Sequence, residues 1–160
     1  MTAKAEWRMH WPLVLASMIG LSLPATSIVT MGAFIAPLEA AFHWSRSEVT
    51  AGLTIYSLVA VIGQPVVGRM VDLWGPRRIA LAGVLLSGIT FSLFSTTDGS
   101  MTGWLLRWLA YSIAVQGVQM PVWSSAVASE FKFGRGFALA IASLGSSWCS
   151  MIAPVVATVL

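Results

Sequence analysis

Apolar and polar positions fall in long blocks along this chain, not in the two-residue alternation of a half-buried strand. Five stretches carry no Asp, Glu, Lys or Arg: 11–38, 49–68, 79–97, 108–129 and 136–160. A helix needs roughly 20 mostly apolar residues to cross about 30 Å of hydrocarbon. Each stretch meets that length or falls one short. Backbone groups in lipid must bond within their own segment, which selects helices. The pattern predicts five membrane-spanning helices, at about 11–37, 49–71, 79–97, 102–128 and 137–160. Short polar turns join them, and no separate soluble domain is visible. The first stretch is nearly twice the roughly 7–15 residue apolar core of a cleaved signal peptide, so it reads as a retained span. The expected fold class is all-α: a polytopic membrane helical bundle.

Composition sharpens this. Of 160 residues, 57% are hydrophobic and 9% charged, against about 25% charged in an ordinary soluble domain. Nine Lys/Arg and six Asp/Glu cannot coat a soluble surface, so a soluble domain and a disordered chain are excluded. The net charge of +3 includes no basic block, so nucleic acid is not an expected partner. The expected surroundings are a lipid bilayer. With the N-terminus placed in the cytoplasm, Lys4, Arg8, Arg69, Arg77, Arg78, Lys132 and Arg135 all fall on that side. The opposite turns carry Arg46, Glu39, Glu48 and Asp98, and Arg107 stands at the start of the fourth stretch. Excess Lys and Arg mark cytoplasmic loops. The expected location is therefore an inner or plasma membrane with the N-terminus cytoplasmic. Trp7, Trp11 and Trp74 at one set of edges, and Trp44, Trp104 and Trp108 at the other, fit interfacial aromatic belts. Trp123 and Trp148 read as packing residues within spans. Cys149, the single cysteine, reads as a small buried hydrophobe. His10 and His43 fall at opposite faces, so no metal site is expected, and no cofactor either. No paired acids or nucleophile–base pair share one depth, so the chain is not read as an enzyme. Ser45 or Ser47 is placed to cap the second helix, with Glu48 in its first turn.

The most informative segment joins the second and third spans: Gly68-Arg69-Met70-Val71-Asp72-Leu73-Trp74-Gly75-Pro76-Arg77-Arg78. Gly68 lets another helix approach closely. Gly75 permits a backbone conformation that ends one helix and reverses direction, and Pro76 suits the first turn of the next. Asp72 is placed to accept hydrogen bonds from the Arg pair or from a nearby helix N-terminus. Gly68, Met70, Asp72, Gly75, Arg77 and Arg78 match, in place, the signature that the major facilitator superfamily of secondary transporters carries in this loop. Leu73 departs, since an Arg often follows the Asp. The sequence thus resembles the N-terminal part of such a transporter. Two shorter stretches are similar to the monocarboxylate-porter and oxalate/formate-like branches. These are Phe42-His43-Trp44-Ser45-Arg46-Ser47-Glu48, and Phe131, Arg135 and Ala138 with Ala142 and Gly145 beyond them. In the fourth span Gln116-Gly117 fits the family's Arg-x-x-Gln-Gly, but Ile113 stands where its Arg would be.

The resemblance implies alternating access to a central cavity, a small-molecule substrate and a conformational gate at Gly68, Asp72, Gly75, Arg77 and Arg78. It implies five of the family's twelve helices, so a sixth helix and a C-terminal half are expected beyond residue 160. The apolar stretch at 155–160 fits the same expectation. In this family helices one and four face the cavity. Ser22, Thr26 and Thr30 share one face of the first span by their four-residue spacing. Gly20, Pro24 and Gly32 would let that span bend or break. In the fourth, Arg107 and Tyr111 form one polar sector, and Ser112, Gln116, Gln119 and Trp123 another, with Pro121 a source of bending. The substrate candidates are Ser22, Thr26, Thr30, Arg107, Tyr111, Gln116 and Gln119, with Tyr56 and Gln64 as further polar positions. Arg107 reads either as an interfacial anchor or as the partner of a small organic anion. Small-residue packing is the other reading of the hydroxyls. The alternative for the whole chain is a short membrane protein with an assembly role.

Overall fold

In the computed structural model the described residues are 3–159, with side chains as far as 152. They form an all-α helical bundle: α1 (Ala3–Phe42), α2 (Arg46–Trp74), α3 (Pro76–Ser92), α4 (Met101–Val115), α5 (Met120–Glu130) and α6 (Arg135–Val159). A 3-10 turn (Leu93–Thr96) extends α3, and another (Gln116–Val118) separates α4 from α5. Successive spans reverse direction. The bundle therefore has one end formed by the start of α1, the α2–α3 turn and the α5–α6 turn. The other end holds residues 43–45 and 97–100.

The first three spans are each long and apolar enough to cross a membrane. The fourth is divided between α4 and α5, of 15 and 11 residues, where the sequence predicts one helix over 102–128. Conversely α1 runs unbroken for 40 residues through Pro12, Pro24 and Pro37, so of the bend or break that Gly20, Pro24 and Gly32 would permit, a break does not occur. Packing explains it: Val14, Ser17, Leu21, Pro24, Ser27 and Met31 of α1 are all buried. Neighbouring helices thus hold it in continuous helix.

Side chains turned outward on α2 and α3 are largely apolar, among them Leu58, Val61, Ile62, Leu81, Leu85 and Ile89. Such a surface is foreign to a soluble monomer and suits a span facing lipid or further helices. Between helices the driving force is close packing, since lipid tails are as apolar as leucine. Three buried clusters follow one another along the bundle. Val14, Val127, Phe131 and Ala138 lie near the start of α1. Leu21, Val71, Ile79, Val122, Trp123 and Ala142 come next, then Met31, Val49, Trp104, Trp108, Tyr111 and Val115. Glycines set the closest crossings. A Cβ on Gly83 would stand 2.6 Å from the Gly117 carbonyl carbon. One on Gly20 would overlap the Trp123 indole, and one on Gly145 the Met18 backbone.

Three expectations about aromatic and sulfur side chains need correcting. Trp104 and Trp108 are each 3% exposed, packed with Phe94 and Tyr111 in an edge-to-face array. They are core, not belt. Trp148 is 52% exposed, so it does not pack inside the described bundle. Cys149 is half-buried and sits 2.8 Å from the Thr26 hydroxyl, as a hydrogen-bonding partner and not a plain hydrophobe.

Of the two serines placed to cap α2, Ser45 does so. Its hydroxyl accepts the Glu48 N–H at 3.4 Å, and its own N–H donates to the Glu48 carboxylate at 2.8 Å. This is a reciprocal capping box. Ser45→Ala is expected to cost about 1 kcal/mol, read as a lower thermal midpoint of the solubilised protein. Ser47→Ala should leave that midpoint unchanged.

Candidate functional site

The interruption of the fourth span organises its polar residues. Pro121 has no N–H to donate, and its ring opposes the carbonyl four residues back, at Gly117. The chain therefore tightens into the 3-10 turn and then extends at Gln119 (φ −75°, ψ 166°) before α5 begins. The Trp123 indole N–H donates to the freed Val118 carbonyl at 3.0 Å. The Gln116 amide donates to the Ser112 carbonyl at 3.0 Å. Irregular backbone at membrane depth survives only when buried in protein or lining a cavity. Here Gln116 and Val118 are buried.

Two polar pairs flank this interruption. The Gln119 amide donates to the Tyr56 hydroxyl of α2 at 2.6 Å, and the Tyr111 hydroxyl makes a short hydrogen bond with Ser27 of α1. Tyr56 packs against the same buried cluster that holds Tyr111. A third polar contact, Thr26 with Cys149, joins α1 to α6. Gln116 Oε1 and Trp108 Nε1 are buried without a hydrogen-bond partner among the described residues. Ser22 is half-buried and returns its hydroxyl to the Ile19 carbonyl at 2.6 Å. Thr30 is half-buried with no side-chain hydrogen bond among the described residues. Thus Thr26, Tyr111, Gln116 and Gln119 lie in or beside the interhelical polar contacts. Ser27 and Cys149 join them unforeseen. Ser27 escapes a four-residue spacing rule because it lies one position past Thr26, on the adjoining face. Tyr111 of one polar sector of the fourth span and Gln119 of the other both find inward partners, because the interruption re-phases Gln119 relative to Tyr111.

Arg107 lies elsewhere. Its guanidinium donates to the Thr96 carbonyl at 2.7 Å, and Nη1 stands 3.7 Å from the Asp98 carboxylate. It ties α4 to the turn that precedes it, at the end of the bundle away from residue 3. Nη1 is buried and makes no hydrogen bond among the described residues. Asp98 is held below the usual carboxylate range, by the Ser100 backbone N–H first and by Arg107 to a lesser degree.

In the α2–α3 turn Gly75 adopts φ +82°, in the region that favours glycine, and its N–H bonds the Val71 carbonyl at 2.9 Å. Pro76 opens α3. Asp72, Arg77 and Arg78 are exposed, and no ion pair joins them among the described residues. A Cβ on Gly68 would meet nothing within 4 Å, so the close approach expected there is not made within the described bundle. An apolar cavity of about 500 Å³ lies between α1, α3 and α5, lined by Leu13, Ala16, Ala80, Val84 and Trp123 among others. None of the polar pairs opens into it. No group of His, Cys, Asp or Glu suited to a metal ion exists among the described residues.

No curated protein and no solved structure was found to match this chain. A family model does: residues 11–160 match that of the Major Facilitator Superfamily. The match takes in every span and the turn built on Gly75. The chain belongs to the Major Facilitator Superfamily of membrane transport proteins.

Proposed function

We propose that this chain is the N-terminal part of a transporter that moves a small solute by alternating access. Family membership supports transmembrane transport; the finer reading is ours. The observation that carries it is the pairing of Tyr56 with Gln119 and Tyr111 with Ser27 across three spans, beside an interrupted helix. Transporter sites are built at such interruptions, where side-chain and backbone polar groups face a cavity. Ser22, Thr26, Thr30 and Gln116 complete the wall on this reading. A small organic anion is the proposed substrate. Support comes from the similarity to the monocarboxylate-porter branch at 42–48 and 131–138, and from the charge of Arg107 at the end of the bundle away from residue 3, which suits a carboxylate.

The proposed orientation puts the N-terminus in the cytoplasm, on the strength of the seven basic residues gathered at that end. The proposed partner is a second half of the transporter. Exposed Asp72, Arg77 and Arg78, and the open face of Gly68, are the surface it would meet on closing. On this reading Asp72→Asn removes a charge-assisted contact worth about 1.5–3 kcal/mol. Uptake of labelled small carboxylates by the full-length transporter is expected to fall about ten-fold or more, with unchanged membrane abundance. Unchanged uptake would sink the gating role. A chain that assembles stably with itself and supports no uptake with any further half would favour the assembly alternative.

A further inference from the structure

The segment 3–10 precedes the stretch matched to the family, yet it is built into the fold. Glu6 is only 5% exposed. Its carboxylate accepts three consecutive backbone N–H groups: Lys132 at 3.2 Å, Phe133 at 3.3 and 3.1 Å, and Gly134 at 3.1 Å. These donors belong to the turn that immediately precedes α6, so the carboxylate sits at the N-terminal end of that helix, where its dipole favours an anion. Burial pushes the Glu6 carboxyl up. The N–H groups of Gly134, Lys132 and Phe133 outweigh this and hold it below the usual carboxylate range. Trp7 packs edge-on against Phe131 and tilted against Phe137, both with ring centroids 5.4 Å apart. It also fills the space beside Gly134, where a Cβ would come within 2.9 Å of its indole nitrogen. One turn later His10 Nδ1 stands 3.5 Å from the Glu130 carboxylate, with its ring 5.9 Å from Phe131. Positions 6, 7 and 10 share one helix face, and all three grip the same turn.

We infer that residues 3–10 are an intramolecular strap. Glu6 anchors the turn at 132–134, so that the first and fifth spans behave as one body at this end and the backbone around Lys132 and Arg135 is held against local opening, although both side chains are exposed. The strap rests on this geometry and not on the transport reading. A buried carboxylate is tolerated only when its hydrogen bonds are met, and here the turn meets them with backbone donors alone. Among the described residues the turn at Gly75 has no comparable tie, which makes it an internal reference.

The test is limited trypsin digestion of the protein in lipid nanodiscs, where both faces are accessible. The rates compared are cleavage after Lys132 and Arg135 and cleavage after Arg77 and Arg78. Glu6→Gln leaves one acceptor oxygen and sets an amide N–H against backbone donors. It is expected to speed cleavage after Lys132 and Arg135 about ten-fold, a shift of one decade in the open population, with the Arg77 and Arg78 rates unchanged. Equal rates at Lys132 and Arg135 in variant and parent would overturn the strap. A parallel rise at both turns would overturn it too, since the effect would then be on the whole fold. If Glu6→Gln does not accumulate, Trp7→Leu serves: it keeps the carboxylate but removes the indole grip. Selective faster cleavage after Lys132 and Arg135 supports the strap, and an unchanged pattern overturns it.

Discussion

Gly83→Ala is expected to destabilise the solubilised protein by about 2 kcal/mol, within the range for forcing atoms into a packed interior. The added methyl would stand 2.6, 2.7 and 2.8 Å from the carbonyl carbon, Cα and oxygen of Gly117. All three are backbone atoms, so no side chain can swing aside and the two helices must separate. Gly88→Ala, one and a half turns along the same helix, meets nothing within 4 Å. It should be neutral or stabilising by up to about 1 kcal/mol, the ordinary gain of alanine over glycine in a helix. The pair of thermal midpoints is the measurement. Equal shifts in the two variants would show that the crossing at Gly83 is not tight. Gly117→Ala opens the same contact from the other side, with its Cβ 2.8 Å from Gly83 Cα. The double variant should therefore cost less than the sum of the singles.

That crossing shows what the sequence could and could not disclose. Five apolar stretches gave the spans and their order, because length and absence of charge are local properties. Gly75 was legible for the same reason: a glycine followed by proline, between two spans, needs no knowledge of neighbours to read as a turn. Gly83 carries no local mark. Its role depends on Gly117, 34 residues away, meeting it backbone to backbone. The behaviour of proline was equally contextual. Pro121 ends regular helix because Gly117, four residues earlier, is committed to α3. Pro24 does not, because it lies on the one face of α1 that is buried along much of its length, from Val14 to Met31. Trp104 and Trp108 looked like belt residues from their place at a span edge. Packing against Phe94 from the preceding 3-10 turn draws them inward. Glu6 looked like one more residue of a polar N-terminal flank, and its three backbone partners lie more than 120 residues away.

Gln119→Leu is expected to weaken solute binding. Leucine keeps the approximate volume and loses the amide that donates to Tyr56. If this pair faces the solute as proposed, the substitution removes one hydrogen bond to the solute and leaves Tyr56 without its partner. Each loss is worth about 1 kcal/mol or somewhat more. The expected result in the full-length transporter is a KM raised about ten-fold, with the thermal midpoint nearly unchanged because Gln119 is only half-buried. Tyr56→Phe should raise KM by a similar factor, and the double variant by little more than either single, since both delete one shared arrangement. Arg107 supplies the contrast. It is bound to Thr96 and Asp98 at the end of the bundle away from residue 3, so Arg107→Gln should alter the entry of an anion more than it alters binding at the interrupted helix. A fall in thermal midpoint with KM unchanged in both Gln119→Leu and Tyr56→Phe would assign the pair to packing alone. The solute would then have to be met by Thr26, Thr30 and the far side of α1.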